Sequence, residues 1–122
     1  MKRRGADDRR IRAERRGRWS EYRAALLLLL KGYRIVAMRY RTRVGEVDII
    51  ARRGNLVAFV EVKARREILS GVDAVTFSAQ RRIAQAGDHW ISRQPDAAKL
   101  SWRYDIIVVR PWRLPTHLKS AF

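Results

Sequence analysis

The dipeptide Gly54-Asn55 constrains this chain more than any other feature, because apolar runs flank it on both sides and Gly-Asn in that setting signals a two-residue hairpin. A two-residue turn sets register: Arg53 faces Leu56, and stepping outward brings Asp48 opposite Glu61 and Glu46 opposite Lys63. Side chains alternate along a strand, so these four are expected on one face. In the second strand Val57 and Phe59 lie on that same face while Ala58, Val60 and Val62 line the other, so both faces read as buried. Alternating charge usually marks the wet face of a hairpin. At the end of a strand buried on both sides, however, a carboxylate and an ammonium must be paired, hydrated or metal-bound to offset their desolvation.

That requirement points to chemistry. Two acidic side chains can hold a hard cation through oxygen, and a lysine beside them can serve an attacking water. Asp48 and Glu61 are therefore the candidate metal ligands, for Mg2+ (or Mn2+), whose shell keeps several waters and accepts phosphate oxygens. The Val62 carbonyl is available to complete the shell. Lys63 is the candidate for orienting or deprotonating the water, since a nearby cation and partial burial favour a neutral amine. A salt bridge from Lys63 to Glu46 or Glu61 is its alternative.

The flanking segments supply the rest of a fold. Residues 1–14 are rich in arginine without an apolar period and read as a flexible basic arm, leaving residues 15–122 as a single domain. Helical spacing predicts a helix from about Arg16 to Lys31, stopped by Gly32, with Glu21, Ala25 and Leu28 on one face. Arg34 to Thr42 alternates as a strand, and Ala64 to Gly71 reads as a charged loop. Val75 to Ser92 carries Ile83, Ala84, Gly87, Trp90 and Ile91 at helical spacing, which puts Gln80 on the inward side and makes His89 part of a helix surface. Gln94-Pro95-Asp96 ends that helix, and Arg103 to Arg110 alternates as a last strand. A strand, helix, strand order favours a right-handed parallel crossover. The expected class is α/β, with a mixed sheet in the order helix-strand-strand-strand-helix-strand. The tail after Pro111 is expected to be coil, lying back against the body through Trp112, Leu118 and Phe122.

The 122 residues make one domain with an open active surface, and the net charge of +16, carried mostly by arginine, implies a polyanionic partner. Nucleic acid is the expected one, DNA before RNA, although arginine-rich codon usage accounts for part of the excess. Arg65, Arg66, Arg81 and Arg82 are placed to bind flanking phosphates, or are ordinary surface. The absence of cysteine excludes thiolate metal sites and fits a reducing cytoplasm, and His89 and His117 lack zinc-site spacing. The longest apolar run, Ala24 to Leu30, is too short to span a bilayer, which needs about 20 residues.

Gly45-Glu46-Val47-Asp48-Ile49-Ile50-Ala51, followed by Phe59-Val60-Glu61-Val62-Lys63-Ala64-Arg65, resembles the YraN family of small bacterial proteins. That family is placed in the PD-(D/E)XK nuclease superfamily and is similar to archaeal Holliday-junction resolvases. The likeness extends over nearly the whole chain, through Glu21 with Ala24, Lys31-Gly32-Tyr33-Arg34, Val75-Thr76, Gln80, Arg103-Tyr104-Asp105-Ile106 and Ala121-Phe122. It implies a restriction-endonuclease-like core, a role for Glu21 in holding a water or a second ion, and a role for Gln80 in orienting water or phosphate. Val47, Ser20 and Ala79 depart from the pattern, and none of these removes a metal ligand. Asp105 matches as well and reads as a structural partner of a nearby arginine.

The leading expectation is thus a metal-dependent endonuclease acting on branched or distorted DNA, with a homodimer as one assembly left open. The alternative is a nucleic-acid-binding protein whose carboxylate site is inactive. A weaker third reading attaches the arginine arm to anionic lipid.

Overall fold

The computed structural model describes the backbone of residues 2–122, and the side chains other than those of residues 2–8, 11–14 and 16. Its elements are α1 (Lys2–Leu30), β1 (Arg34–Arg41), β2 (Glu46–Arg53), β3 (Leu56–Ala64), α2 (Ile68–Asp73), α3 (Phe77–Ser92), β4 (Ser101–Val109) and β5 (Thr116–Leu118). The strands form one sheet in the order β1-β2-β3-β4-β5, antiparallel except for the β3–β4 pair, which is parallel as the intervening helix requires. This is the expected α/β, restriction-endonuclease-like core.

The hairpin keeps the predicted register from Arg53↔Leu56 out to Ile49↔Val60, with Gly54 at a φ of 60° supplying the left-handed turn residue. α3 is capped by Thr76, whose hydroxyl accepts the Ala79 N–H at 3.2 Å. Its apolar stripe of Ile83, Ala86, Trp90 and Ile91 covers one side of the sheet against Val47, Ile50, Val57, Phe59, Ile106 and Val108. α1 covers the other side through Ala24, Ala25 and Leu28, which pack on Ile49, Ala51, Ala58, Val60, Ile107 and Val109. β3 is therefore buried on both faces, as its sequence requires.

Four expectations change. α1 starts at Lys2 rather than near Arg16, so the backbone of the stretch expected as a flexible basic arm continues the helix; propagating a formed helix through arginine and alanine costs little, and each glycine only about 1 kcal/mol. The expected loop at Ala64 to Gly71 contains the short helix α2. The tail adds a strand, β5, on β4. Within that tail Leu118 and Phe122 do pack on the core, Phe122 stacking on Tyr104 at 5.5 Å, but Trp112 is fully exposed, at a φ of 60°.

Candidate active site

Strict alternation breaks at the level of Asp48. On β2, Val47 and Ile50 pack on the α3 side, three positions apart, while Ile49 and Ala51 pack on the α1 side. The same break appears on β1, where Ala37 and Tyr40 face α3 and Met38 faces α1. The ladder passes from Met38↔Ile49 to Tyr40↔Val47 without pairing Arg39 and Asp48, and Arg39 takes a φ of 52°, a left-handed conformation that is uncommon for a residue other than glycine. Both side chains are thereby freed from the pleat. They line a cleft of about 180 Å³ together with Glu21, Arg41, Glu46 and Val47.

The β2–β3 ladder ends at Ile49↔Val60, one step short of the expected Asp48–Glu61 pair. Beyond it, the Val62 N–H donates to Asp48 Oδ2 at 2.8 Å, so a side-chain carboxylate takes the place of a strand carbonyl. The same Asp48 carboxyl hydrogen-bonds to Glu61. Burial pushes the Glu61 pKa up to about 9, with the hydrogen bond and the charge of Asp48 adding to the rise and Lys63 opposing it. Asp48, Glu61 and Lys63 are thus brought together, although not by simple cross-strand pairing.

Glu46 does not pair with Lys63. It lies 3.5 Å from Arg41 Nε and 3.3 Å from Arg82 Nη2, because the β1–β2 turn packs directly on α3. A Cβ on Gly45 would meet the Arg82 carbonyl oxygen at 1.9 Å, so the glycine of this motif serves close packing. Arg82 is accordingly engaged as well as exposed, while Arg65, Arg66 and Arg81 are exposed as expected.

Glu21 does turn inward, being 8 % exposed, and its Oε2 accepts Arg39 Nε at 2.7 Å. Burial raises its pKa, Arg39 opposes the rise and the charge of Asp48 adds to it. Arg39 was not legible in the sequence as a site residue; its position across from Asp48 in the preceding hairpin was the available signal. Gln80 is drawn elsewhere, its Nε2 donating to the Val75 carbonyl at 3.2 Å. His89 is more than surface, since its Nδ1 lies 2.6 Å from Tyr40 Oη.

The donor set suits a hard cation: two carboxyl groups in contact, both oxygen ligands, one of them made to retain a proton by burial and by its neighbour. Among the described residues no group of three acidic or imidazole side chains is gathered to hold an ion, so Asp48 and Glu61 would hold it with water filling the remaining positions. Asp105 belongs to a different assembly. Fully buried, it accepts Arg103 Nε at 2.8 Å, His117 Nε2 at 2.7 Å and the Ser120 N–H at 3.0 Å, which bears out its reading as an arginine's structural partner. Burial works to raise its pKa, and these hydrogen bonds outweigh burial and hold it below the ordinary value.

A family model matches residues 20–109, the segment from Ser20 to the end of β4, under the description uncharacterised protein family UPF0102. The chain belongs to this family, which is the YraN family. A UPF0102 protein of Rhizobium meliloti (strain 1021) is 63% identical over 122 residues, covering 100% of both chains. One from Sinorhizobium medicae (strain WSM419) is 61% identical over the same full length, and one from Agrobacterium fabrum is 57% identical over 97% of each chain. Among the described residues of this UPF0102 protein, no helix is long and apolar enough to cross a membrane.

Proposed function

We propose that this UPF0102 protein is a metal-dependent endonuclease that hydrolyses phosphodiester bonds in DNA, with branched or distorted DNA as its substrate class. The observation that carries this reading is the contact between Asp48 and Glu61 where the β2–β3 ladder ends, with Lys63 two residues along the same strand. Two half-buried carboxyl groups held against each other gain nothing in a pure phosphate binder, because they repel its ligand. A bound divalent cation supplies Lewis-acid polarisation of the phosphoryl group and stabilises the departing oxygen. Asp48 and Glu61 are the residues that hold it. Lys63, close enough to act on the charge of Glu61, orients the attacking water. Glu21, kept by Arg39 at the wall of the cleft, orients water from the helix side. The positive surface draws the polyanion in.

A second reading, nucleic-acid binding without cleavage, has one observation in its favour: Glu21 is occupied by Arg39 instead of converging with Asp48 and Glu61. The experiment that separates the two is a cleavage assay with Mg2+ or Mn2+ on linear, flapped and four-way DNA, comparing the parent with Asp48→Asn. Endonuclease action requires that the variant lose cleavage while its metal-free DNA affinity stays equal or rises. If Asp48→Asn cuts as fast as the parent, the activity lies elsewhere and the binding reading takes over.

A further inference from the structure

A second cleft, of about 240 Å³, opens on the other flank of α1, lined by Trp19, Ser20 and Arg23 from the helix and by Arg65, Arg66 and Arg110 from the chain leaving the sheet. It lies at the carboxyl ends of the parallel strands β3 and β4, since Ala64 and Val109, their last residues, also line it. That end of an α/β sheet is where ligands characteristically bind. Its chemistry is specific. Four arginines line it with no acidic residue beside them, and none of the four has a carboxylate partner among the described residues; Arg23 and Arg65 donate to the Arg113 and Ala64 carbonyls, and Arg110 Nη2 to the Thr116 hydroxyl. Arg110 Nε is a buried donor with no hydrogen-bond partner among the described residues, which costs free energy. Beside these cations Trp19 is 67% exposed, an indole face left to solvent.

We infer that this cleft is a single-strand nucleotide subsite, in which an unpaired base stacks on Trp19 and its phosphate is held by Arg110 with Arg23, Arg65 or Arg66. Aromatic stacking beside a cationic groove is how single strands are gripped without sequence preference, whereas a base inside a duplex has no free face to offer. The Glu21–Asp48 cleft lies across α1, and Ala64 follows Lys63 directly. The position of the subsite relative to a scissile bond therefore rests on the endonuclease reading, and selects substrates with an unpaired nucleotide near the cut.

The test measures binding of fluorescein-labelled oligo(dT) and of a duplex of equal length to the full chain in EDTA, where cleavage plays no part. Trp19→Ala should weaken oligo(dT) binding by about 5- to 100-fold, the loss of one stacked base, and leave the duplex within about twofold. Trp19→Phe should restore most of the affinity. Arg110→Gln should weaken oligo(dT) more than the duplex. Equal affinity of Trp19→Ala and the parent for oligo(dT) would overturn the subsite. So would a parallel loss for both probes accompanied by a change in oligomeric state, which would make Trp19 part of an interface between copies. Failure of the endonuclease reading appears separately, as oligo(dT) binding that responds to Trp19 in a protein that cuts nothing.

Discussion

Glu61→Gln should stabilise the metal-free protein at neutral pH while removing a metal ligand. Burial and Asp48 push the Glu61 pKa up to about 9, so at pH 7 the folded protein retains a proton that the unfolded chain, with an ordinary glutamate pKa of about 4.3, has released. At 1.36 kcal/mol per unit, the gap between 4.3 and 7 sets a ceiling of about 4 kcal/mol on that cost. Water entry and side-chain relaxation at a half-buried carboxyl reduce it, so the expected gain for glutamine, which does not titrate, is about 1–3 kcal/mol. For a chain of this length that corresponds to roughly 4–12 °C in Tm. Because the folded pKa is raised, the folded state binds more protons than the unfolded state between the two values. The parent should therefore lose stability as pH rises from about 4 toward about 9, and the variant should not share that loss. Urea unfolding followed by far-UV circular dichroism in EDTA, at pH 4, 7 and 9, measures the difference. It should be near zero at pH 4 and fully developed by pH 9. A pH-independent offset, or a variant less stable than the parent at pH 7, would refute the strained carboxyl pair. Mg2+ or Mn2+ should raise the parent's Tm more at pH 8.5 than at pH 6, since binding releases the Glu61 proton, and should leave the variant's Tm unchanged.

Asp105→Ala strips a buried carboxylate from Arg103 and His117 and should cost about 3–5 kcal/mol by urea unfolding. Since the Asp105 pKa is lowered, that contribution is present above the ordinary aspartate value and is lost as pH falls through its folded pKa, so parent and variant should converge in acid. Gly45→Ala places a methyl against the Arg82 carbonyl and should destabilise by about 1–3 kcal/mol, with amide exchange quickening first at the start of α3. Arg81→Ala with Arg82→Ala should weaken duplex binding and flatten the slope of log affinity against log salt by about 0.9 for each phosphate that is no longer neutralised; an unchanged slope would take these residues out of the DNA surface.

The sequence by itself determined what depends on neighbours along the chain. The Gly54-Asn55 turn and period-2 alternation were enough to place Ile49 beside Val60 and to bury both faces of β3, because a two-residue hairpin leaves no freedom of register. Helical spacing identified the stripe of α3 and turned Glu21 inward for the same local reason. Other features came only from tertiary structure. The paired irregularity at Arg39 and Asp48 frees both side chains for the cleft, and it arises between strands, where no single-strand period records it. Glu46 exchanged its expected partner for Arg41 and Arg82 because the hairpin ladder stopped early and α3 packed against Gly45. Asp105 gathered Arg103 from its own strand, but His117 and Ser120 reached it only because the tail folded back as β5. The arginine cleft at the ends of β3 and β4 joins residues 19–23, 64–66 and 109–111, which the parallel crossover and the packing of α1 bring together. Sequence patterns report which face a residue takes on its own element; which elements then share an edge is decided by the packing of the whole sheet between its two helices.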